Sequence, residues 1–200
     1  MITVLKRLGL LLMMGVVLTA CATKVERMSP DEVKDISGRW NDTDSRLVSE
    51  EMIDDVLART WLGEFTGQRK RDPAVIVGEI RNLSHEHINM QTFVSDMERV
   101  LINSGKVVFV ASSEERKDVR QERGDQDLNA SDDTRNAMGQ ERGADFMLKG
   151  TISTILDTEG KKQVRFYQID LNLISLADNR KVWVGQKKIK KYVTGPSVRP

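Results

Sequence analysis

Cysteine and histidine are scarce in this sequence of 200 residues, and their scarcity excludes several kinds of chemistry. The chain has one cysteine, so neither an intrachain disulfide nor a Cys-x-x-Cys metal or redox site can form. Two histidines leave little material for a histidine-based metal site. Charge of one sign is also lacking, because 31 Lys and Arg balance 30 Asp and Glu, for a formal net charge of +1. We therefore expect no nucleic-acid partner.

The composition that remains fits one folded domain. Hydrophobic residues make up 39% of the chain and charged residues 30%, which suits a packed core under a solvated surface. These values argue against a mostly disordered or collagen-like chain. The length of 200 residues leaves room for one ordinary domain and short flanking segments.

The N-terminus indicates where the protein goes. Residues 8–20 carry no charge and follow Lys6 and Arg7. As a helix they would rise about 20 Å, short of the roughly 30 Å hydrocarbon core of a bilayer, which is typical of a signal peptide. The only cysteine, Cys21, comes directly after Leu-Thr-Ala, and this tetrapeptide resembles the lipobox of bacterial lipoproteins. An ordinary secretory signal with a coincidental cysteine is the alternative.

The lipobox resemblance implies cleavage before Cys21, with a diacylglyceryl group and an N-acyl chain on that residue. Several acyl chains anchor a protein stably, whereas one binds membranes only marginally. Ala22 stands where retention in the inner membrane typically calls for Asp, so we expect the outer membrane, facing the periplasm. Removal of residues 1–20 would delete Lys6 and Arg7 and change the net charge to −1.

The remaining chain divides by composition. We expect a short tether over residues 21–44, a globular domain over 45–193 and a tail over 194–200. Apolar spacing of three and four residues predicts helices, one of which starts from a cap at Asp44 or Ser45. The predicted helices cover 45–60, 89–104, 113–123 and 131–142.

The predicted strands are of two kinds. Continuous apolar runs at 74–80 and 106–111 are typical of buried strands and flank a helix, which predicts a βαβ unit. From Phe146 the pattern changes to period two and predicts an antiparallel meander with one solvated face. The fold class is therefore α/β, a single domain with a mixed sheet of about five strands flanked by about four helices.

No catalytic, metal or cofactor site is predicted. The sequence contains neither a phosphate-binding GxxxxGK[ST] loop nor a GxSxG nucleophile elbow. Residues 125–131 imitate an EF-hand start but have Ala130 where the sharp turn needs glycine. His85 and His87 could contribute two ligands to a metal, but zinc sites need three or four, so a solvated loop is expected. Residues 187–192 are either a charged edge strand or a contact for an acidic partner.

Four segments, together with the lipobox, resemble the LpoB family of penicillin-binding protein activators. The most specific one is Ser37 to Asp44, which reads Ser-Gly-Arg-Trp-Asn-Asp-Thr-Asp. The other three lie at residues 102–107, 143–150 and 182–189. The segment at 143–150 also resembles curli-secretion lipoproteins and the TolB amino-terminal domain.

The resemblance implies a monomeric regulator that is not an enzyme. Family members stimulate penicillin-binding protein 1B, a bifunctional peptidoglycan synthase, by docking onto its UB2H domain from the outer membrane. The tether departs from the family pattern because it has no long proline-rich linker, and residues 22–44 reach at most about 80 Å. A curli-like secretion or assembly lipoprotein is the alternative function, and an envelope hydrolase lacks a convincing nucleophile or metal set.

Two exposed polar pairs are candidate partner contacts. Arg39 and Trp40 lie in an irregular segment before the first helix, and both residue types are enriched at interface hot spots. Arg81 and Asn82 follow the first strand. The alternative is structural, with Trp40 packed beneath the helix start and Arg39 paired with a carboxylate.

Substitution of the only thiol tests the anchor. We expect Cys21→Ser to abolish acylation and release the protein from outer membranes, because no other side chain can receive the lipid. Labelled fatty-acid incorporation and membrane fractionation measure the two effects. Persistence in the outer-membrane fraction after a high-salt wash would show that the lipoprotein interpretation is wrong.

Overall fold

The computed structural model describes residues 24–195. Cys21 and the predicted signal peptide and tail beyond 195 lie outside these residues. Residues 24–33 belong to a separate unit, are all exposed and contain an ion pair between Lys24 and Glu26. The second unit begins at Lys34 and holds all the helices and strands described below.

Nine elements follow one another in the second unit. The helices are α1 (Asp42–Leu57), α2 (Thr60–Arg69), α3 (Met90–Asn103) and α4 (Ser113–Asn129). The strands are β1 (Ala74–Leu83), β2 (Val108–Phe109), β3 (Phe146–Glu159), β4 (Lys162–Ser175) and β5 (Lys181–Thr194). No helix within residues 24–195 has the length and apolar character to cross a membrane.

The five strands form one mixed sheet in the order β2-β1-β3-β4-β5. β1 pairs in parallel with both β2 and β3, while β3, β4 and β5 form an antiparallel meander. The turns between the meander strands use left-handed residues, Gly160 (φ 59°) and Asn179 (φ 61°). The predicted α/β class, βαβ unit and C-terminal meander are all confirmed.

The core lies between the helices and one face of the sheet. The alternating residues Tyr167, Ile169, Leu171 and Leu173 of β4 are buried on this inner face, as their period of two predicts. The buried residues of α1 and α3 pack on them; these are Val48, Met52, Ile53, Val56, Leu57, Phe93, Met97 and Leu101. Among the described residues, the opposite, outer face of the meander carries no helix.

The first helix starts earlier than predicted. α1 begins at Asp42, and its cap is Asn41 instead of Asp44 or Ser45. The Asn41 side chain accepts from the backbone N–H of Asp44, and the Asp44 carboxylate accepts from the Asn41 N–H, both at 3.0 Å. This reciprocal capping box satisfies two backbone donors, which explains why the helix takes in Asp42 and Thr43.

The prediction of a helix over 131–142 is wrong. Ser131 starts one turn, in which its carbonyl accepts from the N–H groups of Thr134 and Arg135 at 3.1 Å, but the helix does not continue. All residues from 131 to 143 are exposed, so the segment buries no apolar stripe that would offset the ordering of a helix. Gly139 then takes a left-handed conformation at φ 80°. The preceding polar helix instead extends to Asn129.

A helix that the sequence did not predict is present at α2. Its two glycines and weak apolar periodicity conceal it. Burial of Trp61 holds it in place, since the indole N–H donates to the Val56 carbonyl at 2.6 Å and the ring packs edge-on against Phe146. Within residues 24–195 the number of helices is as predicted, and α1, α3 and α4 lie at predicted positions, while α2 is present and the helix predicted over 131–142 is not.

The strand predicted over 106–111 is shorter than expected. β2 has two residues, because Gly105 (φ 63°) ends α3 in a left-handed turn and Ser112 already caps α4. β1 is longer than predicted and continues to Leu83. β3 pairs with it as far as Ser153 and so supports the extension.

A substitution in the middle of β4 tests the assignment of faces. Leu171 has no exposed surface, so Leu171→Asp buries an unpaired carboxylate, and we expect the domain to unfold. Val184, of which 63% is exposed, faces the other way, and Val184→Asp is the matched control that should keep its melting temperature. Circular dichroism during heating compares the two. Equal melting temperatures for both variants would contradict the assignment.

Candidate functional site

The pre-helix segment, residues 35–41, contains two of the predicted contact residues and is held against the end of β5 by hydrogen bonds and ion pairs. The Lys191 ammonium donates to Asp44 at 2.6 Å, to Asp35 at 2.7 Å and to the Arg39 carbonyl at 3.3 Å. Asn41 also donates to Asp35, at 2.6 Å. Burial opposes the charged form of Lys191, but these two carboxylates outweigh it and raise the pKa of the ammonium.

A second polar cluster, centred on Glu86, joins the same segment to β4. Glu86 lies in the loop between β1 and α3, and its side chain is only 11% exposed. Its carboxylate accepts from the Trp40 backbone N–H at 3.1 Å, the Tyr167 hydroxyl at 2.8 Å and the Arg165 guanidinium at 2.6 Å. Three separate parts of the chain therefore meet at one carboxylate.

The electrostatics of this cluster favour a structural role. Burial, with the hydrogen bond to Glu86, raises the pKa of the Tyr167 hydroxyl, so it remains a neutral donor. Arg165 also donates from Nε to Gln163 at 2.6 Å, and Gln163 donates to Thr158 at 2.9 Å. Because these groups satisfy one another, the cluster holds three chain segments together and offers no free nucleophile or base.

Trp40 packs beneath the start of α1. Its ring meets Phe93 edge-on at 6.1 Å and Tyr167 at 5.6 Å between centroids. Its indole N–H donates to the Ser45 hydroxyl at 2.8 Å. The neighbouring Arg39 is exposed, and no ion pair holds its guanidinium in the described part of the chain. The structure thus buries much of one predicted contact residue and leaves the other available.

In the second predicted pair, Asn82 makes hydrogen bonds within the domain and Arg81 is exposed. The Asn82 amide donates to the Glu86 carbonyl at 2.8 Å, and its oxygen accepts from the Ser84 N–H and hydroxyl. Arg81 is exposed on the outer side of β1. The structure therefore brings Trp40 and Asn82 together around Glu86, while their arginine neighbours point to solvent.

The two histidines, His85 and His87, lie in the loop between β1 and α3. His85 Nδ1 lies 2.9 Å from the Thr154 hydroxyl, and both His85 and His87 are exposed. Within residues 24–195, no three His, Cys, Asp or Glu side chains converge closely enough to hold an ion. Residues 125–129, which imitate an EF-hand start, form the last part of α4 and not a loop.

A groove lies between α2 and the β4–β5 turn. It encloses about 750 Å³ and is lined by Trp61, Phe65 and Phe146. Asp145 at its wall accepts two bonds of 2.7 Å from Arg71, which, despite partial burial, lower the pKa of that carboxyl. This bidentate pair ties the end of α2 to the start of β3.

Glu86, Arg165 and Lys191 organise the site and are not among the residues that the sequence predicts for it. A signal for two of them exists, because Arg165 and Lys191 occupy inward positions of the period-two pattern where apolar residues are expected. A charged residue on the inner face requires a partner from another element. Glu86 carries no comparable signal, since its loop can be placed over the sheet only once the fold is known.

A family model described as the peptidoglycan-synthase activator LpoB matches residues 44–189, which run from the first turn of α1 into β5. The chain belongs to the LpoB family. The match includes Arg81, Asn82 and Glu86 but begins after Arg39 and Trp40. Among proteins with curated descriptions, none matches the chain significantly.

Solved structures include other members of the LpoB family. The NMR structure of Escherichia coli LpoB is 13% identical and covers 89% of this chain and 84% of its own, with a TM-score of 0.41. The C-terminal domain of E. coli LpoB is 15% identical over 66% of this chain and all of its own, with a TM-score of 0.35. Lipoprotein GNA1162 from Neisseria meningitidis is 13% identical over 60% of this chain and 83% of its own, at 0.40.

Removal of the central negative charge tests the Glu86 cluster. Glu86→Gln leaves the Arg165 guanidinium, which is 12% exposed, without its counter-ion. We expect the free energy of unfolding to fall by about 1.5–3 kcal/mol, the usual value of hydrogen bonds to a charged group. Glu79→Gln, on the exposed side of β1, is the matched control. Urea unfolding of both variants gives the comparison. Equal midpoints would show that the Glu86 carboxylate does not stabilise the domain.

Proposed function

We propose that this chain is a non-enzymatic lipoprotein that binds and activates a bifunctional penicillin-binding protein resembling penicillin-binding protein 1B. The observation that carries the proposal is the LpoB family match across residues 44–189, which spans all five strands except the end of β5. A family of synthase activators acts through contact with the synthase, so the function of this domain is to present a binding surface.

The organisation of the polar residues supports a binding role. The charged groups that lie at least partly buried near the pre-helix segment are engaged with one another, as the Glu86–Arg165 and Lys191–Asp44 contacts show. Such pairing fixes a surface in one conformation, and a preorganised surface loses less entropy when a partner binds.

Attachment through Cys21 would keep this surface near a membrane, in the outer membrane and facing the periplasm. The lipobox supports the anchor, and Ala22 supports the outer membrane. Because the domain unit begins at Lys34, the connecting residues 22–33 span at most about 40 Å when fully extended. This length is an upper limit on the distance from the anchor to Lys34, and the synthase must come within reach of a domain held in this way.

Within the domain, Arg39 and Arg81 are the proposed contacts of the two predicted pairs. Both are exposed and have no ion pair among residues 24–195, so neither loses an internal partner when it binds. Trp40 and Asn82 would act by holding the segments that carry these arginines.

Charge reversal at the two arginines tests the proposal. With the unacylated Cys21→Ser chain, we expect Arg39→Glu and Arg81→Glu each to reduce stimulation of glycan polymerisation by the synthase. The free energy of unfolding should change by no more than about 0.5 kcal/mol, as for most surface substitutions. Arg99→Glu, at an exposed position of α3, is the matched control.

Absence of stimulation by the parent chain, with any bifunctional synthase of the same cell envelope, would contradict the proposed function. Full stimulation by both variants would leave the function in place and move the contacts away from Arg39 and Arg81.

A further inference from the structure

The outer face of the meander is exposed, although it is built from three long strands. The pairing register places Ile155 of β3 beside Phe166 of β4, and Phe166 beside Lys190 of β5. In the next row, Val164 lies beside Tyr192. Strand alternation directs all of these side chains away from the core, because Tyr167 and Ile189 in the adjacent positions face the helices.

These neighbours form an apolar cluster on the solvent side of the sheet. Ile155 is 65% exposed and Tyr192 is 64% exposed, and the half-buried Val164 and Phe166 lie between them. The solvated face of an antiparallel sheet commonly carries polar side chains, so large apolar residues in neighbouring positions depart from that pattern. A cluster of this kind with a polar rim marks a contact surface for another molecule.

The lysines of β5 separate by face into paired and unpaired groups. On the inner face, Lys187 contacts Glu51, and Lys191 contacts Asp35 and Asp44. On the outer face, Lys188 and Lys190 have no ion pair or side-chain hydrogen bond among residues 24–195.

In the described part of the chain, cations without an ion pair also lie on the outer face of two other strands. Arg81 of β1 and Lys149 of β3 also lie on the outer face without an ion pair in the described chain. The central acidic residue, Asp170, is already engaged by the amides of Gln168 and Gln186, each at 2.8 Å. Two carboxylates without an ion pair among residues 24–195 lie on the same face, Asp157 beside Val164 and Glu79 near Arg81. Beside the apolar cluster, Lys188 and Lys190 remain the cations without an ion pair in the described chain.

Protection of the edge strand does not account for this arrangement. Charge on β5 is sufficient to discourage pairing of its free edge. Phe166 and Ile155, however, lie one and two strands away from that edge. Their exposure beside Lys190 fits a surface that meets a partner.

We infer that the outer patch, defined as Ile155, Val164, Phe166, Lys188, Lys190 and Tyr192, is a docking surface for an acidic face of the partner synthase, in addition to the contacts proposed for Arg39 and Arg81. The inference rests on the proposed function and gives the chemistry of the contact. The occupant is a protein surface with carboxylates placed opposite Lys188 and Lys190 and with an apolar residue that covers Phe166 and Tyr192. A second copy of this chain fits less well, because it would bring the same unpaired lysines to the interface.

The experiment measures binding of the unacylated full chain to the purified synthase at low and high salt, together with stimulation of glycan polymerisation. We expect Lys188→Glu/Lys190→Glu to weaken binding at least about tenfold and to reduce its salt dependence, since opposed charges steer and hold the complex. Tyr192→Ser should weaken binding by about tenfold while the salt dependence remains, because it removes apolar contact and no charge.

The matched control is Arg99→Glu/Lys106→Glu, which changes the net charge equally at exposed positions outside the three strands of the meander. It should bind within about twofold of the parent chain. Heating curves verify that each variant is folded, and if the reversal unfolds the domain, Lys188→Gln/Lys190→Gln takes its place.

The outcomes separate the two proposals. If the parent chain stimulates the synthase and the patch variants bind as the control does, the inference is overturned and the proposed function stands. If the parent chain neither binds nor stimulates a synthase, the proposed function is overturned and the inference with it. If sedimentation shows that the patch variants change the association of the chain with itself, the patch is a self-contact and the inference is overturned.

Discussion

The domain depends on pairing charges that folding removes from water. Glu86 and Lys191 each gather partners from distant parts of the chain, and both lie where the pre-helix segment crosses the sheet. An ionised group in such a place is costly unless its hydrogen bonds and counter-charges are complete. Four parts of the chain must therefore come together as one unit, because each supplies a charged or hydrogen-bonding partner to another. They are residues 35–44, the loop after β1, the start of β4 and the end of β5.

The pairing of these charges also determines which side chains of the pre-helix segment are exposed. The pre-helix segment can take its place only with Asn41 capping α1, Trp40 beneath the helix and Arg39 at the solvent side. The two ionic clusters and the helix cap therefore determine that Trp40 is covered and that Arg39 is exposed. On the inner face of β5, Lys187 and Lys191 are paired with carboxylates, whereas Lys188 and Lys190 on the outer face have no ion pair among residues 24–195.

The sequence predicts most of the fold because long periodic segments carry the information locally. The period-two run through Tyr167 and Leu173 identifies the inner face of β4 directly, and the apolar run from Ala74 identifies a buried strand. The prediction of a helix over 131–142 is wrong because a capping residue indicates where a helix can start but supplies no contact that stabilises it. Helix α2 was missed for the opposite reason, since burial of Trp61 against Phe146 overrides its poor periodicity.

The site was less predictable than the fold. Arg39, Trp40, Arg81 and Asn82 were selected by residue type and by their position next to predicted elements. The contacts that distinguish the buried from the exposed members depend on Glu86, which is 46 residues from Trp40 and 79 from Arg165 in the chain. No local pattern links residues so far apart, because their proximity arises only when β1, β3 and β4 align.

The fastening of residues 35–41 to the sheet has a practical consequence for anyone who prepares a shortened protein. The family match begins at residue 44, which invites a fragment that starts there. Such a fragment would keep nearly every helix and strand but would lose the Asn41 cap, the Trp40 ring and the Asp35 carboxylate. Lys191 would lose one of its two acidic partners, and the Tyr167 and Phe93 rings would be uncovered. The smallest self-sufficient fragment of the domain therefore begins at Lys34, ten residues before the region that sequence comparison delimits.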